Sequence, residues 1–202
     1  LSTGVAKASY VRGGIRYEGE TFVSQKYNVL AYRVCVPGGE KFSFDLRYTR
    51  EDSCPADRPR EYDEILGQRL EVSSEGNTIT LNGAAIDGAH PFFGEGGESV
   101  RFGGMITVKT DGTVAAHDRI LTVKDATHAV VYASFETDYD VNTFDFDRSK
   151  DYMAILRQRM AMVAAADYQE IYAAHIRDHG EAFGTVELTV DAGGKYDHLP
   201  TD

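Results

Sequence analysis

The chain of 202 residues has no tryptophan, only two cysteines and only five prolines. Cys35 and Cys54 are too few for a disulfide framework, and neither stands in a CxxC or Cys/His spacing that suggests zinc. Cys35 alternates with apolar neighbours in a predicted strand, which suits a buried free thiol. A bridge to Cys54 is the other reading and would imply an oxidising compartment. No apolar run approaches the roughly 20 residues that cross a bilayer. Leu1 to Tyr10 lacks the charged and apolar regions of a signal peptide, so compartment and export are not read here. Basic charge is scarce as well: 21 Lys and Arg stand against 32 Asp and Glu, for a net charge of -11. With no basic cluster, that balance repels phosphate backbones and argues against a nucleic-acid partner. What is present, 42% hydrophobic and 26% charged residues, is the mixture of a folded globular chain of one or two domains.

Most of the chain reads as short strands. From Lys41 to Tyr48, Phe42, Phe44, Leu46 and Tyr48 fall on one face and Lys41, Ser43, Asp45 and Arg47 on the other, the period of a half-buried strand. Pro37-Gly38-Gly39 supplies a turn before it, so Val29 to Val36 is expected to pair with it as a hairpin. Asn77 to Leu81 and Val100 to Val108 alternate similarly, the latter ending at the turn Asp111-Gly112. Further strands are expected at Val114, Leu121 to Lys124 and Ala129 to Phe135. Glu51 to Gly67 and Ile86 to Glu98, rich in Pro, Gly and acid, read as loops or strand-edge excursions. After Tyr139 the period changes. Tyr152, Ile155, Leu156, Met160 and Val163 recur at helical spacing, and Tyr168, Ile171, Tyr172, His175, Ile176 and Phe183 form a second stripe. A strand is expected over 184–190.

Candidate chemistry is thin. Asp138, Asp140, Asp145 and Asp147 gather where the strand pattern ends, and paired carboxylates serve glycoside hydrolysis or calcium binding. Phe144 breaks the calcium-loop order and no Gly holds the turn, so a solvated loop is expected. His175 and His179 lie four apart, but Ile176 stands where a helical zinc motif has Glu. Ser24 and Ser134 lack a G-x-S-x-G elbow, and the PFFGEGGES stretch lacks the Lys-Ser/Thr of a phosphate loop. No metal, cofactor or catalytic residue is assigned. Twelve tyrosines leave room for a sugar-stacking platform, with Tyr10, Tyr17 and Tyr139 as candidates, although alternating aromatics in strands more often build a core and sugar sites favour Trp.

One family resemblance draws these pieces together. The run YQEIYAAHIRDHGEAFGTVELTV resembles the inter-domain joint of glycoside hydrolase family 95, the α-L-fucosidases, and the final LPTD resembles the start of that family's next block, cut off. Tyr17 to Val36 resembles the family's early strands, with Gly19 where Arg is usual, and Arg101 to Tyr139 fits as well. The resemblance implies a mainly β chain, a supersandwich-like antiparallel β-sandwich with a C-terminal two-helix linker. Residues 1–147 would form the sandwich, 148–183 the helical linker, and 184–202 a strand and the start of the connection to an absent α/α barrel. It further implies inverting hydrolysis of α-L-fucosides or related α-glycosides by a longer protein whose catalytic residues lie in that barrel, the partner of this domain. His175, Asp178 and Phe183 are then expected at the inter-domain contact, His175 with one nitrogen bonded to a carbonyl or carboxylate. The alternative is a carbohydrate-binding sandwich that acts alone. Exposed apolar residues along the helical stripe would favour the first reading, and a line of surface tyrosines remote from it the second.

Overall fold

The computed structural model describes residues 2–48, 70–87 and 97–185. Strand β1 (Ala6–Arg12) turns into β2 (Ile15–Ser24) through Gly13 and Gly14, with φ of 61° and 80°. Two consecutive left-handed residues are what a tight type I′ hairpin needs, and glycine takes them without strain. Strand β3 (Val29–Cys35) continues the meander, and β4 (Phe42–Arg47) leaves it. Strands β5 (Leu70–Glu75), β6 (Thr78–Asp87) and β7 (Gly97–Thr110) follow, then β8 (Thr113–His117) and β9 (Ile120–Ala126), and β10 (His128–Thr137) returns. Among the described residues these strands make a seven-stranded sheet, ordered β1-β2-β3-β10-β7-β6-β5, and a three-stranded sheet, β4-β9-β8. The short β11 (Tyr139–Asp140) and β12 (Asp145–Phe146) pair with each other. Every pairing is antiparallel.

The alternation of Phe42, Phe44 and Leu46 is realised, but the expected hairpin is not. β3 is flanked by β2 and β10, while β4 pairs with β9 in the other sheet. The Pro37-Gly38-Gly39 turn therefore carries the chain across the sandwich, because Phe42 and Val36 must face each other in one core. Asp111-Gly112 makes the same kind of crossing from β7 to β8. The Asp111 carboxylate accepts hydrogen bonds from the Thr127 N–H at 3.0 Å, the Thr127 hydroxyl at 2.6 Å and the His128 N–H at 3.1 Å, fastening the return from β9 to β10. Those bonds, led by the Thr127 hydroxyl, hold its carboxyl well below the usual carboxylate range.

Ile86 and Asp87 pair with Glu98 and Gly97, so the edges of that stretch are strand excursions, reached through a bulge between Ala84 and Ile86. The expected loop over 51–67 lies outside the described residues. So does the expected strand beyond Thr185; Gly184 and Thr185 form the turn after the last helix.

Helix α1 (Tyr152–Ala165) starts at Asp151, whose carboxylate accepts from the Ala154 N–H at 2.8 Å. Helix α2 (Tyr168–Phe183) starts at Asp167, which accepts from the Glu170 N–H at 2.8 Å. Such caps satisfy donors that the first helical turn leaves open, each worth about 1 kcal/mol. Between the caps, Leu156, Met160 and Val163 of α1 and Ile171, Ala174 and His175 of α2 are buried.

Three layers result. Val34, Val36, Ile79, Leu81, Ile106, Val108 and Val131 of the large sheet meet Phe42, Leu121 and Val123 of the small one. On the opposite face, Phe22, Val29, Ala31, Val130 and Tyr132 meet Met160, Val163 and Ile171 of the helices. β10 is central, so its neighbours Val130 and Val131 are both buried, one in each core. Gly103 permits the close docking of α1: a Cβ there would stand 2.5 Å from the Met153 sulfur and 3.1 Å from the Tyr152 ring.

Candidate functional site

The two faces of the large sheet carry two different candidate sites. The small sheet shields only part of its face. Beyond β4, the first part of the large sheet is left as the floor of an open trough of about 610 Å³. Its floor comes from β1 to β3 and its wall from β4. Hairpin register sets Tyr10 opposite Tyr17, and the two rings stack with centroids 5.1 Å apart and planes 8° from parallel. Tyr17 meets Phe42 edge-on at 5.7 Å, and Phe42 lies over Phe44 at 5.9 Å, so four aromatic rings run in series from the outer strand into the core. Tyr10 is 49% exposed and Tyr32 36%, while Phe42 is 8% exposed. Arg12 adds a polar group to the lining. Burial, and then the nearby Tyr10, raises the Tyr32 hydroxyl above its ordinary range. Tyr32 leans across Gly19, its ring 3.4 Å from where a Cβ would stand, which gives that glycine a reason: an arginine would have to share the space.

Of the three tyrosines proposed from the sequence as a platform, Tyr10 and Tyr17 come together here. Tyr139 does not; it lies on β11 against Phe146, with ring centroids 6.2 Å apart. Tyr32, Phe42 and Arg12 were not foreseen as members of the trough. The sequence signal was Gly13-Gly14, since a two-residue turn centred there places Tyr10 across from Tyr17 and Arg12 across from Ile15.

The second site is the helical face. His175 is 5% exposed and turned inward, stacked on Phe22 with centroids 4.7 Å apart. One nitrogen bond was expected, yet both ring nitrogens face carbonyls: Nδ1 lies 3.1 Å from the Val23 oxygen and Nε2 2.9 Å from that of Thr3. The ring thus ties the start of the chain to β2. Its own helical neighbours His179 and Phe183 extend the stack, at 5.6 Å per step. Asp178 pairs with Arg177 at 3.1 Å rather than with His175, and Phe183 is 50% exposed at the helix end.

Polar bridges fasten the same face. The Lys109 ammonium donates to the carbonyls of Val163, Ala164 and Ala166 at 3.3, 3.4 and 2.7 Å, closing the C-terminal end of α1. Tyr27 donates to Glu170, and Tyr168 to Glu20, each at 2.8 Å. Burial and then the bond to Glu20 push the Tyr168 hydroxyl far above its usual range. Burial works upward on Glu20 itself, but its bonds to Lys7 and Tyr168 outweigh that and leave its carboxyl lowered.

The acidic group at the end of β10 is not uniformly solvated, as it was expected to be. Asp138 is 1% exposed and forms an ion pair with Arg148, and its carboxylate also accepts from the Arg101 N–H at 2.9 Å. A buried carboxylate needs such partners, and the local chain supplies them. Asp140 and Asp147 instead close short turns: Asp140 accepts from the Asn142 N–H at 2.8 Å, and Asp147 from the Ser149 hydroxyl at 2.5 Å and the Ser149 N–H at 3.0 Å, which holds both carboxyls low. Among the described residues no three His, Cys, Asp or Glu side chains are grouped to hold a metal. Cys35, expected to be buried, is half-buried with a free thiol; Cys54 lies outside the described residues. No described helix is long and apolar enough to cross a membrane.

A family model described as glycosyl hydrolase family 65, N-terminal domain, matches residues 1–142. The match is to family 65, in place of the family 95 that the motifs resembled. No curated protein matches. Among solved structures 25 chains match. One of them, "Putative kojibiose phosphorylase from human microbiome", is 9% identical with a TM-score of 0.47 and covers 88% of this chain. The match spans 22% of that longer chain.

Proposed function

The chain belongs to the glycosyl hydrolase family 65 N-terminal domains, whose model spans 1–142, and from that premise we propose that it is the non-catalytic β domain of a longer glycoside-processing enzyme. The family match carries this reading. The state of the described carboxyls supports it. A general acid for glycoside cleavage is a carboxyl group held protonated by a raised pKa. Among the described residues, the carboxyls with a resolved shift, Glu20, Asp111, Glu136, Asp140 and Asp147, are all lowered. They are hydrogen-bonded anions suited to structure.

The partner in this reading is a catalytic α/α barrel of the same polypeptide. The helical stripe is mostly used inside the domain, so the proposed contact centres on Phe183 and Asp178, with His175 holding α2 in place behind them. The α-L-fucoside specificity rested on the family 95 resemblance, and with family 65 in its place fucosides become one member of a substrate panel.

The test compares this chain with the full-length protein on aryl α-glycosides, α-L-fucoside and α-glucoside included, with and without inorganic phosphate. Turnover by the longer protein alone is the expected result, and the glycoside cleaved defines the specificity. Turnover by the 202-residue chain would overturn the non-catalytic assignment.

A further inference from the structure

We propose that the aromatic trough between the large sheet and β4 is a binding site for a neutral oligosaccharide, separate from the chemistry of the longer enzyme. The inference rests on the glycoside-enzyme reading for its ligand class and on the geometry of the trough for its location.

Three observations favour a pyranose. One face of the Tyr10 ring lies on Tyr17, and the residue remains 49% exposed on its edge strand. A flat, half-wet aromatic ring matches the C–H face of a sugar, and the stacked ring behind it fixes its orientation at little entropic cost. Polar groups are at hand for the sugar's hydroxyls: Arg12 lines the trough, beside the hydroxyl of the 36% exposed Tyr32. An acyl chain would have no use for these groups. The volume of about 610 Å³ also lies within the range of small-molecule sites, roughly 300–1,000 Å³, and gives room for more than one ring.

Position adds a fourth argument. Tyr10, Tyr17 and Tyr32 lie on the face of the large sheet opposite α1 and α2, so an oligosaccharide held there would not compete with a barrel docked at the helical end. The domain would then hold a chain of sugars away from the point of cleavage, raising the local concentration of substrate.

The experiment is a titration of this 202-residue chain with maltotriose and with fucosyllactose, followed by NMR. Because the chain lacks tryptophan, tyrosine fluorescence gives a parallel readout. The expected result is that at least one sugar shifts resonances of Tyr10, Tyr17, Tyr32 and Phe42, and that Tyr10→Ala weakens binding by about tenfold. Tyr10 is on an exposed edge strand, so that variant should fold, and Arg12→Ala provides a second test that leaves every ring in place. Shifts elsewhere, affinity unchanged in both variants, or no shift with either sugar would overturn the proposal. Binding of decanoate in the trough without either sugar would overturn it also. None of these failures touches the domain assignment, which depends on the family match and on the activity of the longer protein.

Discussion

The large sheet is covered on both faces by different means, and the contrast shows how cover and function divide in this domain. On the helical face, two amphipathic helices bring long side chains that seal the sheet, and polar bridges fix their position: Lys109 to the end of α1, Tyr27 to Glu170, Tyr168 to Glu20. On the other face, among the described residues, three short strands cover part of a seven-stranded sheet by apolar contact. That mismatch in width leaves Tyr10 and Tyr32 exposed. A face closed by bridges becomes structural. A face closed only in part retains a trough.

Truncation in the two cores should have the largest effect and should test whether both are equally essential. Leu121 and Ile171 are each 0% exposed, one in each core. Leu121→Ala and Ile171→Ala are each expected to cost about 2–5 kcal/mol in denaturant unfolding, through lost burial and the cavity left behind. If Leu121→Ala proved nearly neutral, the small sheet would be an appendage and not half of a sandwich.

Lys109→Met sharpens the contrast next. It keeps most of the aliphatic stem and removes the donor that closes α1, so a loss of about 1.5–3 kcal/mol is expected, the range for a hydrogen bond to a charged group. Hydrogen exchange should accelerate in the last turn of α1 ahead of the β strands. Equal acceleration throughout would show that the bridge has no local role.

The acid response follows from Asp111. Its folded pKa lies below the unfolded value, so its stabilisation is fully present above about pH 4, the ordinary carboxylate range, and is lost as pH falls through the folded value. Asp111→Asn should therefore lower stability at neutral pH and flatten the acid limb of stability against pH. An acid limb as steep as that of the parent would place the sensitivity in the other lowered carboxyls, such as Glu136 with its partners Lys150 and Arg159.

The smallest effect is expected at Tyr132. It is 0% exposed and its hydroxyl has no hydrogen-bond partner among the described residues, while burial pushes its pKa up to about 12. Tyr132→Phe removes an unsatisfied polar atom without changing the ring, so thermal unfolding should show a neutral or slightly raised midpoint. A clear loss of stability would reveal a bonded water beneath the helices.

Side-chain periodicity made the elements legible where a single face is buried. The alternation of Phe42, Phe44 and Leu46 and the stripes through Leu156 and Ile171 read correctly because one repeat maps onto one environment. Pairing partners did not read, for a local alternation says which side faces inward but not which strand lies beside it. Hence the turn at Pro37 looked like a hairpin and proved to be a crossing between sheets. Ile86 and Asp87 read as loop or strand-edge excursion, because the ladder reaches them through a bulge between Ala84 and Ile86 that breaks the local alternation. In the candidate site, Tyr10 and Tyr17 were visible as residues, but Tyr32, Phe42 and Arg12 joined them only through the packing of β4 against the large sheet.

By itself the sequence determined a mainly β chain closed by two amphipathic helices, an acidic balance without a basic patch, and motifs of a glycoside hydrolase's N-terminal domain, because composition, period and motif are properties of neighbouring residues. Tertiary structure alone decided that the helices cover the sheet, that Asp138 is buried against Arg148 and not a surface charge, and that five aromatic rings line one trough. Those outcomes depend on contacts between residues far apart in the chain, formed only when two sheets of unequal width are stacked.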